Sequence, residues 1–192
     1  VLENIREEAV LWRRLRHPNI VRLLDFFAEN KKAYLVLEYL EGTNLKDLGL
    51  ELSSNYNEMK ILELALTMTD ILNYLHKKDP PVIHRDFTPD NLILDKGGSL
   101  KLTDFNIAHQ LEAGATRTIA GKPSYIPPEQ FRGEANIESD IYALGCTLFF
   151  LTTGREPEAL TRSEPRRFND NVSEGLDKII SGCTELSPDL RF

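Results

Sequence analysis

The sequence VIHRDFTPDNLIL, residues 82–94, places a short charged stretch between two apolar runs. Each apolar run is typical of a buried strand segment. Pro89 lies between the runs and prevents one continuous helix or strand, because proline has no backbone N–H to donate. Asp86 and Asn91 are therefore expected on a loop that is anchored at both ends, where catalytic side chains are common. A plain charged turn between two core strands is the alternative interpretation.

Further motifs follow this loop in a fixed order. Residues 100–103, LKLT, alternate like a strand and lead into DFN at residues 104–106, and PPE follows at residues 127–129. Protein kinases have His-Arg-Asp, an Asn five residues after the Asp, strand-Asp-Phe-Gly and then Ala-Pro-Glu, in that order. The chain therefore resembles a eukaryotic-type serine/threonine protein kinase domain over essentially all of its 192 residues. The run PPEQF at residues 127–131 favours a bacterial member.

The resemblance implies an α+β fold of two lobes. Residues 1–40 would form a reduced N-lobe of one helix, two strands and the hinge, and residues 41–192 a mostly helical C-lobe. The first residue, Val1, already lies in a helical pattern, and no Gly-rich loop or third-strand Lys precedes it. We therefore expect a fragment that turns over little ATP by itself.

Apolar spacing predicts the main elements of this fold. His17-Pro18 should end the first helix, and Gly97-Gly98 should form a hairpin turn before the strand that leads to Asp104. The predicted helices cover residues 1–16, 61–76, 137–153 and 172–183, and the predicted strands cover residues 20–28 and 33–38.

Composition argues against several other classes of protein. A net charge of −7 disfavours a general binder of nucleic acid or of membrane surfaces. The chain has no run of 18 apolar residues, and its two cysteines lie in apolar helical patterns. We expect a cytoplasmic protein with buried free thiols.

By the resemblance, three residues do the chemistry with ATP and Mg²⁺. Asp86 would accept the proton of the acceptor hydroxyl and align it. Asn91 and Asp104 would hold Mg²⁺, since an amide oxygen and a carboxylate are hard oxygen ligands.

The resemblance also indicates the nucleotide-binding residues. Leu37 would lie at the back of the pocket, the backbone of Glu38 and Leu40 would bind adenine, and Ile93 would contribute to the same pocket. Glu8 would pair with the phosphate-binding Lys of the family. A solvated surface charge is the alternative for Glu8.

An activation segment would follow Asp104. Arg85 would bind a phosphorylated residue in it, as the matching Arg often does in this family. Thr118 matches the usual phosphorylation site and Thr116 is the competing candidate, while both are equally well interpreted as ordinary loop threonines.

Several residues have structural roles by the same resemblance. Asp140 would fix the backbone of the catalytic loop, and Glu129 would pair with Arg191. A hydrophobic column linking the lobes would consist of Trp12, Leu23, His84 and Phe105. Ordinary core packing is the alternative for that column.

Two departures from the family pattern concern the site itself. Asn106 replaces a Gly, which is a mild change because Asn tolerates positive φ. The usual Lys near the catalytic Asp is Thr88 here, and the usual Thr of the activation segment is Lys122. The exchange suggests that Lys122 reaches Asp86 and the γ-phosphate while Thr88 hydrogen-bonds to the pair. In the alternative, Lys122 points to solvent and Thr88 is a tolerated loop residue.

Two other functions compete with a protein kinase. A pseudokinase scaffold is disfavoured because Asp86, Asn91 and Asp104 are all present. A small-molecule phosphotransferase is disfavoured because Glu129 and Arg191 are present. The expected partner is a protein substrate, and the bare edge of the strand at residues 33–38 could also support self-association.

Overall fold

The computed structural model describes residues 9–30, 32–104 and 122–192. The predictions on Glu8, Phe105, Thr116 and Thr118 lie outside these residues. One helix and two strands come before a mostly helical region. The α+β class and the reduced first region are therefore confirmed.

Helix α1 covers residues 9–14 of the described chain and packs its apolar face inward. Ala9, Trp12 and Leu15 are buried, and the Trp12 indole Nε1 donates to the backbone oxygen of Val21 at 2.8 Å. Strands β1 (Leu23–Glu29) and β2 (Lys32–Leu37) follow as an antiparallel hairpin.

A second sheet lies next to the catalytic loop. Strands β3 (Gly42–Asn44), β4 (Leu92–Asp95) and β5 (Leu100–Leu102) form an antiparallel sheet in the order β3-β4-β5. The β4–β5 turn contains Gly98 with φ 82°, a conformation that glycine adopts without strain. A parallel bridge from Ile20 to Leu102 connects this sheet to the first region.

The predicted strand at Val82-Ile83 is wrong. These residues have no strand partner in the described structure, and the Val82 N–H donates to the carbonyl of Leu75 at the end of a helix. An apolar pair is too short to distinguish a strand from a buried connection.

Five helices follow the first region in the described chain. The helix Ile137–Thr153 is buried on nearly all sides and has the predicted bounds. It begins with a capping box between Asn136 and Ser139 and ends at Gly154 in the left-handed conformation. The helices are α2 (Leu45–Ser54), α3 (Glu58–His76), α4 (Pro128–Phe131), α5 (Ile137–Thr153) and α6 (Glu174–Cys183).

The larger apolar cluster of the core extends from Ala9 and Trp12 in α1 to Ile180 in α6, and a small second cluster consists of Tyr125, Tyr142 and Cys146. Both cysteines are buried free thiols, as predicted, and burial raises the pKa of Cys183 to about 12. Every helix in the described ranges falls short of the combined length and apolar character that a membrane crossing requires.

Candidate active site

The buried carboxylate of Asp140 fixes the backbone that leads into Asp86. Asp140 lies in the first turn of α5 and is 0% exposed. Its Oδ1 accepts the Arg85 N–H at 2.8 Å, and its Oδ2 accepts the His84 N–H at 2.9 Å. His76 Nε2 lies 2.9 Å from the same Oδ2. A helix in the core thus holds the catalytic loop from behind.

Two residues of the site have a strained backbone. Arg85 has φ 67° and Asp104 has φ 51°, both in the left-handed region. This conformation costs an L-residue about 1–2 kcal/mol. Such strain persists where the surrounding structure over-determines it and is concentrated at functional sites.

Asp86 and Asn91 are joined directly. Asn91 Nδ2 donates to the backbone oxygen of Asp86 and to its Oδ2, both at 2.9 Å. The Thr88 N–H also donates to the Asp86 backbone oxygen at 2.9 Å. These bonds orient the Asp86 carboxylate and leave the amide oxygen of Asn91 available for a cation.

Asp104 comes next to Asn91 through the pairing of β4 with β5. The Thr103 N–H donates to the Asn91 backbone oxygen at 2.9 Å, and the exposed Asp104 follows immediately. No group of three or more His, Cys, Asp or Glu residues in the described chain could hold a metal by itself. One carboxylate and one amide oxygen nevertheless fit Mg²⁺, which commonly completes its shell with phosphate oxygens and water.

The predicted contact between Lys122 and Asp86 is wrong in this structure. Lys122 Nζ lies 2.6 Å from Oδ2 of Asp90, and both side chains are about two-fifths exposed. Asp90 offers a carboxylate near the surface, whereas Oδ2 of Asp86 already accepts from Asn91. Thr88 is buried, and its N–H donates to the Asp86 backbone oxygen within the loop.

The predicted nucleotide residues lie around the end of β2 and on β4. Leu37 ends β2, Ile93 lies on β4, and both are half-buried, as is Leu40. The Glu38 N–H donates to Arg22 at 3.0 Å. Within the described residues, no hydrogen bond uses the Glu38 carbonyl or the backbone of Leu40.

The side chain of Glu38 forms an ion pair with Arg22. Burial favours its protonated form, but hydrogen bonds from Arg22 and the nearby Lys101 charge lower the pKa of Glu38 overall. Arg22 Nε lies 2.9 Å from its Oε2. Glu38 is therefore charged at neutral pH and tied to neighbouring basic side chains.

Three members of the predicted hydrophobic column are buried. Trp12, Leu23 and His84 are 2%, 5% and 1% exposed. Burial lowers the pKa of His84 although the Asp140 and Asp86 carboxylates oppose the shift. A neutral buried His84 fits the structural role better than that of a proton carrier.

Glu129 and Arg191 form a buried ion pair. Arg191 Nη1 lies 2.6 Å from Oε1 of Glu129, and Nη2 lies 3.1 Å from Oε2. The Ser139 hydroxyl also donates to Oε1 at 2.8 Å. Burial alone would raise the pKa of Glu129, but these hydrogen bonds lower it below its usual value. The pair joins α4 to the last residues of the chain.

Sequence reasoning missed Gln130. Its Nε2 donates to the backbone oxygen of Arg85 at 2.8 Å, directly before Asp86. The only signal in the sequence was its position immediately after Glu129.

The comparisons agree with this geometry. A family model described as "Protein kinase domain" matches residues 2–192. The serine/threonine-protein kinase PrkC of Bacillus subtilis (strain 168) is 33% identical over 100% of this chain and 32% of its own length. Aurora kinase B of Mus musculus is 32% identical over 98% of this chain and 56% of its own length.

Solved structures give the same result for the fold. The apo form of PpkA-294 superimposes with a TM-score of 0.84 at 27% identity, covering 99% of this chain and 70% of that one. The chain spans between about a third and just over half of the length of PrkC and mouse Aurora kinase B. With the motifs, the fold and the family model in agreement, this chain belongs to the protein kinase domain family.

Proposed function

We propose that the full-length protein transfers the γ-phosphate of ATP to Ser or Thr hydroxyls of protein substrates. The main support is the arrangement of Asp86, whose carboxylate is oriented by Asn91 beside the exposed Asp104. The serine/threonine kinase names of the relatives agree with this activity.

In this proposal Asp86 accepts the proton of the substrate hydroxyl and aligns the oxygen for attack. Asn91 and Asp104 would hold Mg²⁺, which supplies positive charge next to the transferring phosphoryl group. Phosphoryl transfer depends mainly on positioning and charge neutralisation, and a rigid loop next to two oxygen ligands suits both needs.

The nucleotide would bind between β2 and β4. Leu37 and Ile93 would contact the base, and the Glu38 carbonyl and the backbone of Leu40 would hydrogen-bond to it. The family places a phosphate-binding Lys, the partner proposed for Glu8, before the first helix. Because residues 1–192 hold no Gly-rich loop, we expect little turnover from them alone. Phosphotransfer is therefore to be measured on the full-length protein.

Arg85 is a proposed regulatory residue. Its side chain is exposed and forms no ion pair within the described residues. A phosphate on Thr118, or on Thr116, would provide an anion for its guanidinium and order the segment between them.

We expect Asp104→Asn to weaken the affinity for the Mg²⁺ that activity requires. Replacing a carboxylate ligand by an amide removes the charge that attracts the cation. The half-saturating Mg²⁺ concentration should rise by about tenfold or more, equivalent to at least ~1.4 kcal/mol. A Mg²⁺ titration of phosphotransfer from labelled ATP measures this change.

Asp170→Asn is the matched control, since Asp170 is exposed and lies near the start of α6. An unchanged Mg²⁺ titration for Asp104→Asn would remove Asp104 from the proposed cation site.

We also propose that the first sheet associates with other chains through β2. Within the described residues β2 pairs only with β1, and Leu35 and Val36 are 37% and 40% exposed. An unpaired strand edge with apolar side chains is a template for further pairing. The 192-residue chain should therefore sediment as a mixture of monomer and larger species.

Val36→Lys should shift this mixture toward monomer, because a charged side chain on an edge strand disfavours pairing. Leu66→Lys on α3 adds the same charge at a position that is 73% exposed, away from the sheet, and should have no effect. Analytical ultracentrifugation over a wide concentration range that finds only monomer for the unsubstituted chain would contradict the proposal.

A further inference from the structure

Gln130 connects two segments that are far apart in sequence. It lies on α4, and its Nε2 donates to the Arg85 backbone oxygen at 2.8 Å. This oxygen belongs to the peptide bond between Arg85 and Asp86. Any change in the tilt of that peptide plane therefore turns Asp86.

Within the described residues, the bond from Gln130 is the only hydrogen bond to this peptide itself, whereas Asn91 and Thr88 bind the next carbonyl, that of Asp86. The Asp140 carboxylate accepts the N–H groups of His84 and Arg85, which lie before the peptide. The carbonyl oxygen of Arg85 accepts instead from Nε2 of Gln130. Because Arg85 has φ 67°, the backbone can relieve strain by rotating whenever its carbonyl is released.

Glu129, the residue before Gln130, fixes α4 to the core. Glu129 is 2% exposed and is bound by Arg191 and by Ser139 of α5. Two adjacent residues of a four-residue helix thus contact opposite partners: one fixes the helix to the core, and the other contacts the catalytic loop.

We propose that Gln130 is a positioning residue for Asp86. Through its hydrogen bond, Gln130 ties the position of the Asp86 backbone to the position of α4. The inference rests on the proposed function, because its kinetic consequence requires phosphotransfer by Asp86. Its structural consequence, the fixed position of the loop at Arg85, does not require that activity. A displacement of Gln130 Nε2 from the Arg85 oxygen by about one ångström would exceed hydrogen-bond distance and release the peptide that carries Asp86.

Three substitutions separate the hydrogen bond from the shape of the side chain. Gln130→Met keeps the length and removes the donor. Gln130→Glu keeps the shape and turns an acceptor toward the Arg85 carbonyl. Gln130→Lys retains a donor of sufficient length. Glu134→Gln is the control, since Glu134 is exposed and contacts Arg132 on the surface.

In the full-length protein, Gln130→Met and Gln130→Glu should lower kcat by about tenfold while KM for ATP changes less than about twofold. Gln130→Lys should recover most of kcat. Hydrogen exchange should accelerate for the amides of Arg85 and Thr88 in the Met and Glu variants, with the melting temperature unchanged. These results would support the proposal.

Three results would overturn the proposal. These are wild-type kcat in the Met and Glu variants, unchanged exchange at Arg85 and Thr88, or a loss of kcat matched by a general loss of stability. If the unsubstituted full-length protein shows no phosphotransfer, the proposed function fails, and the exchange measurement alone decides whether Gln130 holds the loop.

Discussion

Asp86→Asn in the full-length protein is expected to lower the rate of phosphotransfer by roughly 10²–10⁴-fold. That loss corresponds to about 3–5 kcal/mol of transition-state stabilisation. An amide cannot accept the proton of the substrate hydroxyl, although it occupies the same space. The rate is measured with labelled ATP and a protein substrate at saturating Mg²⁺.

The fold should tolerate this substitution. The Asp86 backbone oxygen still accepts from Asn91 and Thr88, and the new amide oxygen can accept from Asn91 Nδ2. The melting temperature should therefore stay within about 1–2 °C of the parent, since no buried charge is left unpaired. Asp189→Asn, at an exposed position far along the chain, controls for a general effect of losing a carboxylate. Equal activity of Asp86→Asn and the parent would end the kinase proposal.

Elements with local signals could be predicted from the sequence. The apolar run gave the bounds of α5, and the caps that the structure shows at Asn136 and Gly154 lie directly beside those bounds. The prediction for α6 began two residues early, at Val172. Val172 is buried but lies before the cap, and the Ser173 side chain accepts the Leu176 N–H.

Helix α2 and strand β3 were missed for different reasons. Helix α2 has a signal that could have been used: Leu45, Leu48 and Leu52 have helical spacing after the cap at Asn44. Strand β3 has only three residues and exists through its pairing with β4, a long-range contact that no local pattern contains.

The candidate site shows the same limit. The motif order indicated Asp86, Asn91 and Asp104 through the resemblance to the protein kinase family, which implies that these residues lie in one site. The Lys122–Asp90 and Gln130–Arg85 contacts depend on the exact position of side-chain atoms from a segment that is distant in sequence. A sequence pattern can suggest that two loops are neighbours, but it does not choose between carboxylates four residues apart.

Arg191→Ala is expected to lower the free energy of unfolding by about 3–5 kcal/mol at neutral pH. Glu129 is 2% exposed and would keep a negative charge without its guanidinium partner. The backbone oxygens of Glu138, Glu185 and Leu186 would also lose the donors that Arg191 supplies. At roughly 2–4 °C per kcal/mol, the melting temperature should fall by about 6–20 °C.

The pH dependence identifies the buried charge as the cause. Because the pKa of Glu129 in the folded protein is below its usual value of 4.5, its contribution to stability is present above that value. The contribution is lost as the pH falls through the folded pKa. In Arg191→Ala the unpaired carboxylate can relieve its cost by binding a proton, so the difference from the parent should shrink as the pH approaches 4.5.

Two further variants complete the test. Glu129→Gln combined with Arg191→Ala should cost less than the sum of the single changes, because the double variant leaves no buried charge. Arg167→Ala disrupts a surface ion pair with Glu164 and should cost no more than about 1 kcal/mol. Thermal unfolding of these proteins, of the parent and of the single variants Glu129→Gln and Arg191→Ala at pH 7 and near pH 4.5 gives all of these values. A melting temperature of Arg191→Ala equal to that of Arg167→Ala would mean that the Glu129 charge is solvated, and that α4 is held to the core by apolar packing instead.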